Sequence, residues 1–237
     1  MLSNLLLTGG IFHPFETAAP ALADILGEAG VRSVIRYDVD EALSEMADGR
    51  GYDMVTVFAL RWRMLDHEKY KPYRDEWALS LSLKARTALK AHVMEGGGLL
   101  GLHTASICFD DWPEWQGLLG GKWVWGTSSH PPIGRVDVHF DDGNSVLTRG
   151  LGDFSIQDEV YHHLALVPGV TPLIIANTAE GEGPQTVGWA HEAGQGRVVY
   201  DGLGHDAEAL NEPEHSRFLK RAALWVTGKP EKEILEI

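Results

Sequence analysis

Residues 98–106 read GLLGLHTAS. The run of glycine and leucine reads as a strand. It ends at His103, where the chain is expected to turn straight into a helix. In many α/β enzymes that joint carries a nucleophilic serine or cysteine on a strained turn. Here the five residues are Gly101, Leu102, His103, Thr104 and Ala105.

Outward from the joint, strand and helix alternate. NLLLTGG (4–10) is an apolar run closed by glycines. AAPALADILGEAG (18–30) reads as a helix with Gly30 as its C-cap. VRSVIRYD (31–38) is a second strand, and Asp40 is the expected N-cap of EALSEMADG. YDMVTVFAL (52–60) is a third strand. SLKARTALKAHVMEGG (82–97) is amphipathic, with Leu83, Ala85, Leu89 and Val93 near helical spacing. With GLLGLH (98–103) as the fourth strand, the order predicts right-handed crossovers and a doubly wound, mostly parallel α/β sheet.

After residue 120 the texture changes. GRVDVHF, EVYHHLAL, VTPLIIANT, TVGWAHEA and GRVVYDGL are short strands between Gly, Pro and Asp turns. They predict a β-rich second half of the same sheet. EPEHSRFLKRAALWVTG (212–228) closes the chain as a helix. There is no linker, repeat or low-complexity tract, so one domain over 1–237 is expected.

The formal charge is −14, with 34 acidic against 20 basic residues. That field repels phosphate backbones, so no nucleic-acid partner is expected. The start, MLSNLLLTGG, lacks a basic segment and holds only three consecutive leucines. No stretch approaches the ~18 apolar residues of a membrane span. A cytoplasmic protein without membrane contact is the expectation. One cysteine, Cys108, excludes an internal disulfide and a cysteine metal cluster. It falls inside the helix expected after His103 and reads as an inert buried thiol. The dinucleotide G-x-G-x-x-G, the P-loop and H-E-x-x-H are absent.

Ligands of open parallel sheets bind at the carboxyl ends of the strands. His13 follows Gly9 and Gly10 after the first strand, His103 follows the fourth, and His205 follows Gly204 after a late one. A helix starting at His103 would disfavour imidazolium and leave a neutral imidazole to donate a hydrogen bond or ligate a metal. In QDEVYHH (157–163), a strand would put Glu159, Tyr161 and His163 on one face and Asp158, Val160 and His162 on the other. Glu159 is the candidate general base. Imidazoles with one carboxylate suit Zn, Ni, Fe or Mn, and the residues leave open whether a divalent transition metal is bound. Eight tryptophans include Trp112, Trp115, Trp123 and Trp125. Their rings suit either a sugar face or the core.

Six pieces, in order, resemble the trehalose-utilisation ThuA-like family: TGGIFHP, EGGGLLGLHTA, GGKWVWGTSSHPP, SIQDEVYHH, VGWAHEAGQGRVVYDGLGHD and FLKRAALWVTG. The resemblance covers nearly the whole chain. It implies a flavodoxin-like fold similar to class I glutamine amidotransferases, with the nucleophile replaced. It also implies a link to the breakdown of trehalose and related disaccharides. Matched residue by residue, it singles out His13, His103, His130, Glu159, Tyr161, Trp189, Arg197 and His205. His13, His103, Glu159 and His205 are the catalytic candidates. His130, Tyr161, His162, Trp189, Arg197 and Trp125 are the carbohydrate-binding ones. One departure is NSVLTRGL, with Asn144, Ser145 and Thr148, where family members often carry His-Pro-x-Thr. Two readings stay open: acid/base chemistry, with or without a metal, on a sugar or 3-keto-glycoside, and a non-catalytic sugar-binding or regulatory role. An amidotransferase-like hydrolase ranks last, because the joint lacks a nucleophile and HEA (191–193) does not reproduce a His-x-Glu pair. Self-association is left open.

Overall fold

A computed structural model describes residues 1–141, 145–179 and 182–237. The centre of the molecule is a sheet whose first half is parallel. β1 (Leu2–Gly10) lies between β2 (Val31–Arg36) and β3 (Met54–Leu60). β3 pairs with β4 (Gly98–Leu102), and β4 with β11 (Gly196–Asp201), all parallel. β11 then turns the sheet antiparallel through β10 (Gln185–Ala193), β9 (Thr171–Thr178), β6 (Gly134–Phe140) and β7 (Phe154–Asp158). The order is β2-β1-β3-β4-β11-β10-β9-β6-β7. A short separate ribbon joins β5 (Gly121–Lys122) to β8 (Ala165–Leu166).

The strands bury both faces because helices cover both. Successive side chains of β1 point to opposite sides. Leu6 joins the core under α1 (Phe15–Glu28) and α7 (Pro213–Val226), with Phe58, Leu100 and Phe218. Leu5 and Leu7 join the other core, under α2 (Val39–Ala47), α4 (Leu83–Met94) and α5 (Pro113–Leu119). All seven residues of β3 are buried. That explains its almost wholly apolar sequence, each fully buried large apolar side chain contributing about 1.5–3 kcal/mol. The short α3 (Arg74–Trp77), α6 (Ala207–Leu210) and α8 (Glu231–Leu235) complete the helices named here. No helix among the described residues is long and apolar enough to cross a membrane.

Several expectations need correction. The first helix starts at Phe15, ahead of 18. Asp38 occupies the N-cap position of α2, while Asp40 lies in its first turn and accepts from Ser82 N at 2.6 Å. EVYHHLAL is not one strand: β7 ends at Asp158, and only Ala165–Leu166 of that stretch is strand. The sharpest correction is at the joint. β4 does end at Leu102, but a single 3₁₀ turn, His103–Ser106, follows it, and α5 starts only at Pro113. Cys108 lies between the two, outside any helix.

The joint is nonetheless strained as a nucleophile turn would be. His103 adopts φ +46°, a left-handed conformation uncommon for a residue with a Cβ. Neighbours hold it there. Tyr200 OH donates to the His103 carbonyl at 2.7 Å, and Thr104 Oγ1 donates to Ala59 O at 2.6 Å. At the end of β1, Gly10 has φ +147°, and a Cβ there would lie 2.5 Å from Leu60 O. Only glycine lets the chain leave β1 this close to β3 and deliver His13 to the carboxyl edge.

Candidate functional site

Three loops at the carboxyl edge of the parallel strands deliver His13, His103 and His205, and the end of β7 delivers Glu159. One nitrogen or oxygen from each lies within 4.8 Å of the others. His103 Nε2 is 3.1 Å from His13 Nε2 and 3.5 Å from Glu159 Oε2. The same carboxylate oxygen is 3.9 Å from His13 Nε2 and 3.8 Å from His205 Nδ1. Its other oxygen, Oε1, faces His130 Nδ1 at 3.5 Å. Tyr161 OH lies 3.3 Å from His103 Nε2, and its ring stacks on the imidazole. His103 and Tyr161 are fully buried, whereas His130 reaches solvent at the rim.

The backbone sets which nitrogens face inward. His103 Nδ1 is 2.8 Å from Gly202 O, and His13 Nδ1 is 3.2 Å from Ile11 O. A carbonyl only accepts, so each Nδ1 carries its hydrogen and each Nε2 turns to the cluster. Asp158, wholly buried, holds the loops in register. Its carboxylate accepts from the amides of Glu159 at 2.7 Å, Gly204 at 2.7 Å and His205 at 3.2 Å. Burial raises the Asp158 pKa, opposed by the field of His103 and those amides.

The charges are distributed unevenly. Burial pushes Glu159 up, but hydrogen bonds and fields from the imidazoles outweigh it and hold the carboxyl well below the usual range. Burial opposes a proton on His103, yet Glu159 and Asp158 raise its affinity above the ordinary value. His13 is lowered to about 3 by burial and by the fields of His103 and His205. Of the two facing Nε2 atoms, His103 is therefore the favoured donor and His13 the favoured acceptor. The expected origin of a neutral His103 is gone, since no α-helix begins at that residue. Nearby carboxylates favour the imidazolium instead.

Above the cluster lies a cavity of about 140 Å³. Its walls include Phe12, Trp62, Tyr70, Trp123 and Trp125, with Lys69 at the edge. Trp62 and Trp125 stack at 5.9 Å, and Phe12 is 58% exposed. Larger clefts exist, including one of about 630 Å³ lined by residues of β7 and α6. The cluster and its convergent titratable groups lie in the smaller one, and chemistry rather than volume identifies the site.

The cavity and cluster thus gather His13, His103, His130, Glu159, Tyr161, His205 and Trp125. Three carbohydrate-binding candidates lie elsewhere. Trp189 is fully buried, donates from Nε1 to Leu119 O at 2.8 Å and stacks on Tyr200 at 4.2 Å. It belongs to the core. Arg197 lies near the start of β11, at the opposite end of the strand. There it donates to Trp225 O at 3.2 Å and covers the Trp225 ring. His162 pairs through its backbone with Ser129 and does not line the cavity. With no strand running through 159–163, the expected face-sharing of Glu159, Tyr161 and His163 fails, and His163 pairs at the surface with Glu182 at 2.7 Å. Trp112 and Trp115 pack in the core beside Phe109. In the departing stretch, Ser145 lines a cleft with Pro168 and Trp225, away from the cluster, and Thr148 donates to Asp141 O at 3.0 Å. Asn144 lies outside the described residues. Sequence reasoning did not assign roles to Trp62, Tyr70 or Asp158. The first had a signal in RWR (61–63), at the end of the third strand.

The family model described as ThuA, trehalose utilisation, matches residues 8–226. A ThuA-like protein of Parabacteroides merdae has a similar structure, with TM-score 0.74 and 19% identity over 96% of this chain and 90% of its own. A ThuA-like protein of Bacteroides uniformis follows at TM-score 0.67 and 17% identity, covering 99% and 95%. A cytoplasmic protein of Salmonella typhimurium gives TM-score 0.61 and 12% identity, covering 94% and 97%. No curated protein matches the sequence.

Proposed function

The chain belongs to the ThuA family, described as trehalose utilisation, and from that premise we propose that it is a cytoplasmic enzyme acting on an oxidised sugar. The substrate class is a 3-keto-glycoside, and the chemistry is proton removal next to the ketone. We read the sheet as a flavodoxin-like, amidotransferase-type arrangement in which His103 stands where a nucleophile would. The observation that carries the reading is Glu159, ringed by imidazoles at the floor of an aromatic-walled cavity.

The roles follow from position. Glu159 is ionised and takes the proton. His103, carrying a proton on Nε2, stabilises the oxygen of the resulting enediolate, with Tyr161 OH beside it. His130, at the rim against Glu159 Oε1, passes the proton toward solvent. The enediolate then reprotonates to an isomer or expels the glycosidic leaving group. The cavity volume suits one sugar ring, whose C–H faces rest on the half-buried Trp123 and Trp125. The second ring of a disaccharide would lie outward, near exposed Phe12.

The test is incubation of 3-keto-glycosides with the protein in D₂O, followed by NMR. Enzyme-dependent deuterium next to the ketone is expected. Exchange no faster than the protein-free control, with binding shown by calorimetry, favours the second reading, a sugar-binding protein without catalysis. That reading draws on the same aromatic walls.

A further inference from the structure

We propose that His13 Nε2, His103 Nε2, His205 Nδ1 and Glu159 Oε2 form a binding site for one divalent first-row transition-metal ion. The inference does not depend on the sugar chemistry and competes with it at one atom, because an ion on His103 Nε2 displaces the proton that the acid/base reading places there.

The donor set is the first ground. Three imidazoles and one carboxylate suit Zn²⁺, Ni²⁺, Co²⁺, Fe²⁺ or Mn²⁺ and are a poor match for Ca²⁺ or Mg²⁺. The second is orientation. Metal-binding histidines characteristically give their other ring N–H to a carbonyl or carboxylate, which fixes the tautomer and aims the ligating nitrogen. His13 and His103 both do this, to Ile11 O and Gly202 O. Their Nε2 atoms come to 3.1 Å from one another.

The third ground is independent of both. His205 is 8% exposed, and its Nδ1 is a buried nitrogen without a hydrogen-bond partner. A buried polar atom left unpaired is destabilising. This one is held by a loop that Asp158 anchors through two amides, and it faces the carboxylate at 3.8 Å. A shared ion would give it a partner.

Spacing is the fourth. Around an ion with bonds of about 2.0–2.2 Å, neighbouring ligands sit roughly 2.9–3.4 Å apart and opposite ones about 4.2 Å. The separations here run from 3.1 to 3.9 Å for the four pairs that involve Glu159 or join His13 to His103. None of the ligand atoms lies beyond 4.8 Å from another. The ring is only slightly wider than a loaded one. Four protein ligands leave a six-coordinate ion two positions, and two of the ligands, His13 and Glu159, also line the cavity. Glu159 Oε1 is not needed as a ligand and still faces His130.

The experiment uses the full chain without a polyhistidine tag, stripped with EDTA and desalted. Mn²⁺, Co²⁺, Ni²⁺ and Zn²⁺ are titrated separately by calorimetry, with Mg²⁺ as the contrast. One equivalent of at least one of the four is expected to bind, to survive desalting and to raise the melting temperature. Bound Co²⁺ should show visible absorption of nitrogen-rich coordination. The double variant His13→Ala/His205→Ala should lose at least ~100-fold in affinity. If it does not fold, Glu159→Gln, which preserves shape, should weaken binding at least ~10-fold. Two results would overturn the proposal. One is that no transition ion binds the folded protein, which leaves the close nitrogens as a proton-sharing pair. The other is full-strength binding retained in the variants, which places the ion elsewhere. Sugar exchange by the stripped protein, or tight metal binding without any sugar exchange, separates this inference from the proposed reaction.

Discussion

His103 and His215 are both wholly buried, and both lie against the loop that follows β11. Their hydrogen bonds could hardly differ more. His215 is closed: Nδ1 donates to Ala209 O at 2.8 Å and Nε2 to Asp201 Oδ2 at 2.7 Å. Asp201 spends its other oxygen on Leu203 N at 3.0 Å. His103 spends Nδ1 on Gly202 O, then turns Nε2 toward His13, Tyr161 and Glu159 at separations of 3.1 to 3.5 Å. A buried imidazole with every bond satisfied fastens a fold. One left facing several competing partners under a cavity is equipped to handle a proton or an ion. The two are also connected. The Asp201–His215 pair and Asp158 fix the 201–205 loop, and that loop supplies the carbonyl that aims His103 and the residue His205 itself.

The largest effect expected from this contrast is on turnover. Glu159→Gln keeps the shape of the cluster and removes its charge. A positioned base contributes ~10²–10⁴-fold, so exchange of the substrate proton should fall at least ~100-fold. The melting temperature should fall only modestly, because the fold favours the ionised carboxyl while the rest of the cluster keeps its shape. A variant that instead unfolds would break the contrast, since it would make Glu159 as structural as Asp201.

The mirror experiment is on His215. Removing one partner of a buried ion pair costs about 3–5 kcal/mol, because the other charge is left uncompensated. His215→Ala should lose that much in urea denaturation and expose the 201–205 loop to proteolysis. Loss of activity with unchanged stability would place His215 with the chemistry and erase the distinction.

A pH series sharpens it. Burial lowers the His215 pKa, but Asp201, through its field and hydrogen bond, outweighs burial and raises it from 6.5 to about 9, with Asp158 and Ala209 O adding to the rise. A group whose folded pKa lies above its unfolded value contributes fully below the unfolded value. That contribution is lost as pH rises through the folded one. Stability should therefore be greatest below pH ~6.5 and fall toward pH ~9, by at most about 3 kcal/mol. The raised His103 adds a loss of the same sign, and the buried Cys108, Tyr161 and Tyr200 add theirs only above about pH 9. The urea midpoint between pH 6 and 10 is the measurement. His215→Ala should flatten the curve.

The sequence made one of these regions far more legible than the other. Apolar runs, glycine stops and helical spacing identified β1 to β4 with α1, α2 and α4, but not the short α3. The rule that ligands meet carboxyl ends brought His13, His103 and His205 together before any coordinates. Three features were out of reach. The turn at His103 is stabilised by Tyr200 and Ala59, which are distant in sequence, so nothing local distinguished a 3₁₀ turn from a helix. Trp189 and Arg197 sit in motifs that resemble the family's. Motif membership does not reveal which end of a strand a side chain occupies or which way it points. The extended reading of 157–163 missed that the ladder stops at Asp158, whose side chain collects backbone amides, so the strand ends just before Glu159.

The smallest expected effect is at Cys108, and it tests whether the joint works without a thiol. The residue follows the turn, is 2% exposed, and burial pushes its thiol up to about 12. At neutral pH it is a thiol and a poor nucleophile. Its Sγ donates to Ala59 O at 3.0 Å, the carbonyl that also receives Thr104 Oγ1, and accepts from Arg61 N at 3.4 Å. It therefore packs behind the strained turn rather than in the cavity. Cys108→Ala should cost about 1 kcal/mol of stability, the worth of a modest buried hydrogen bond. Turnover should stay within about threefold, a barrier change of roughly 0.7 kcal/mol. The urea midpoint and the D₂O exchange rate of the same preparation measure both. Abolished exchange in a folded Cys108→Ala protein would mean that the thiol, not the histidine cluster, does the chemistry.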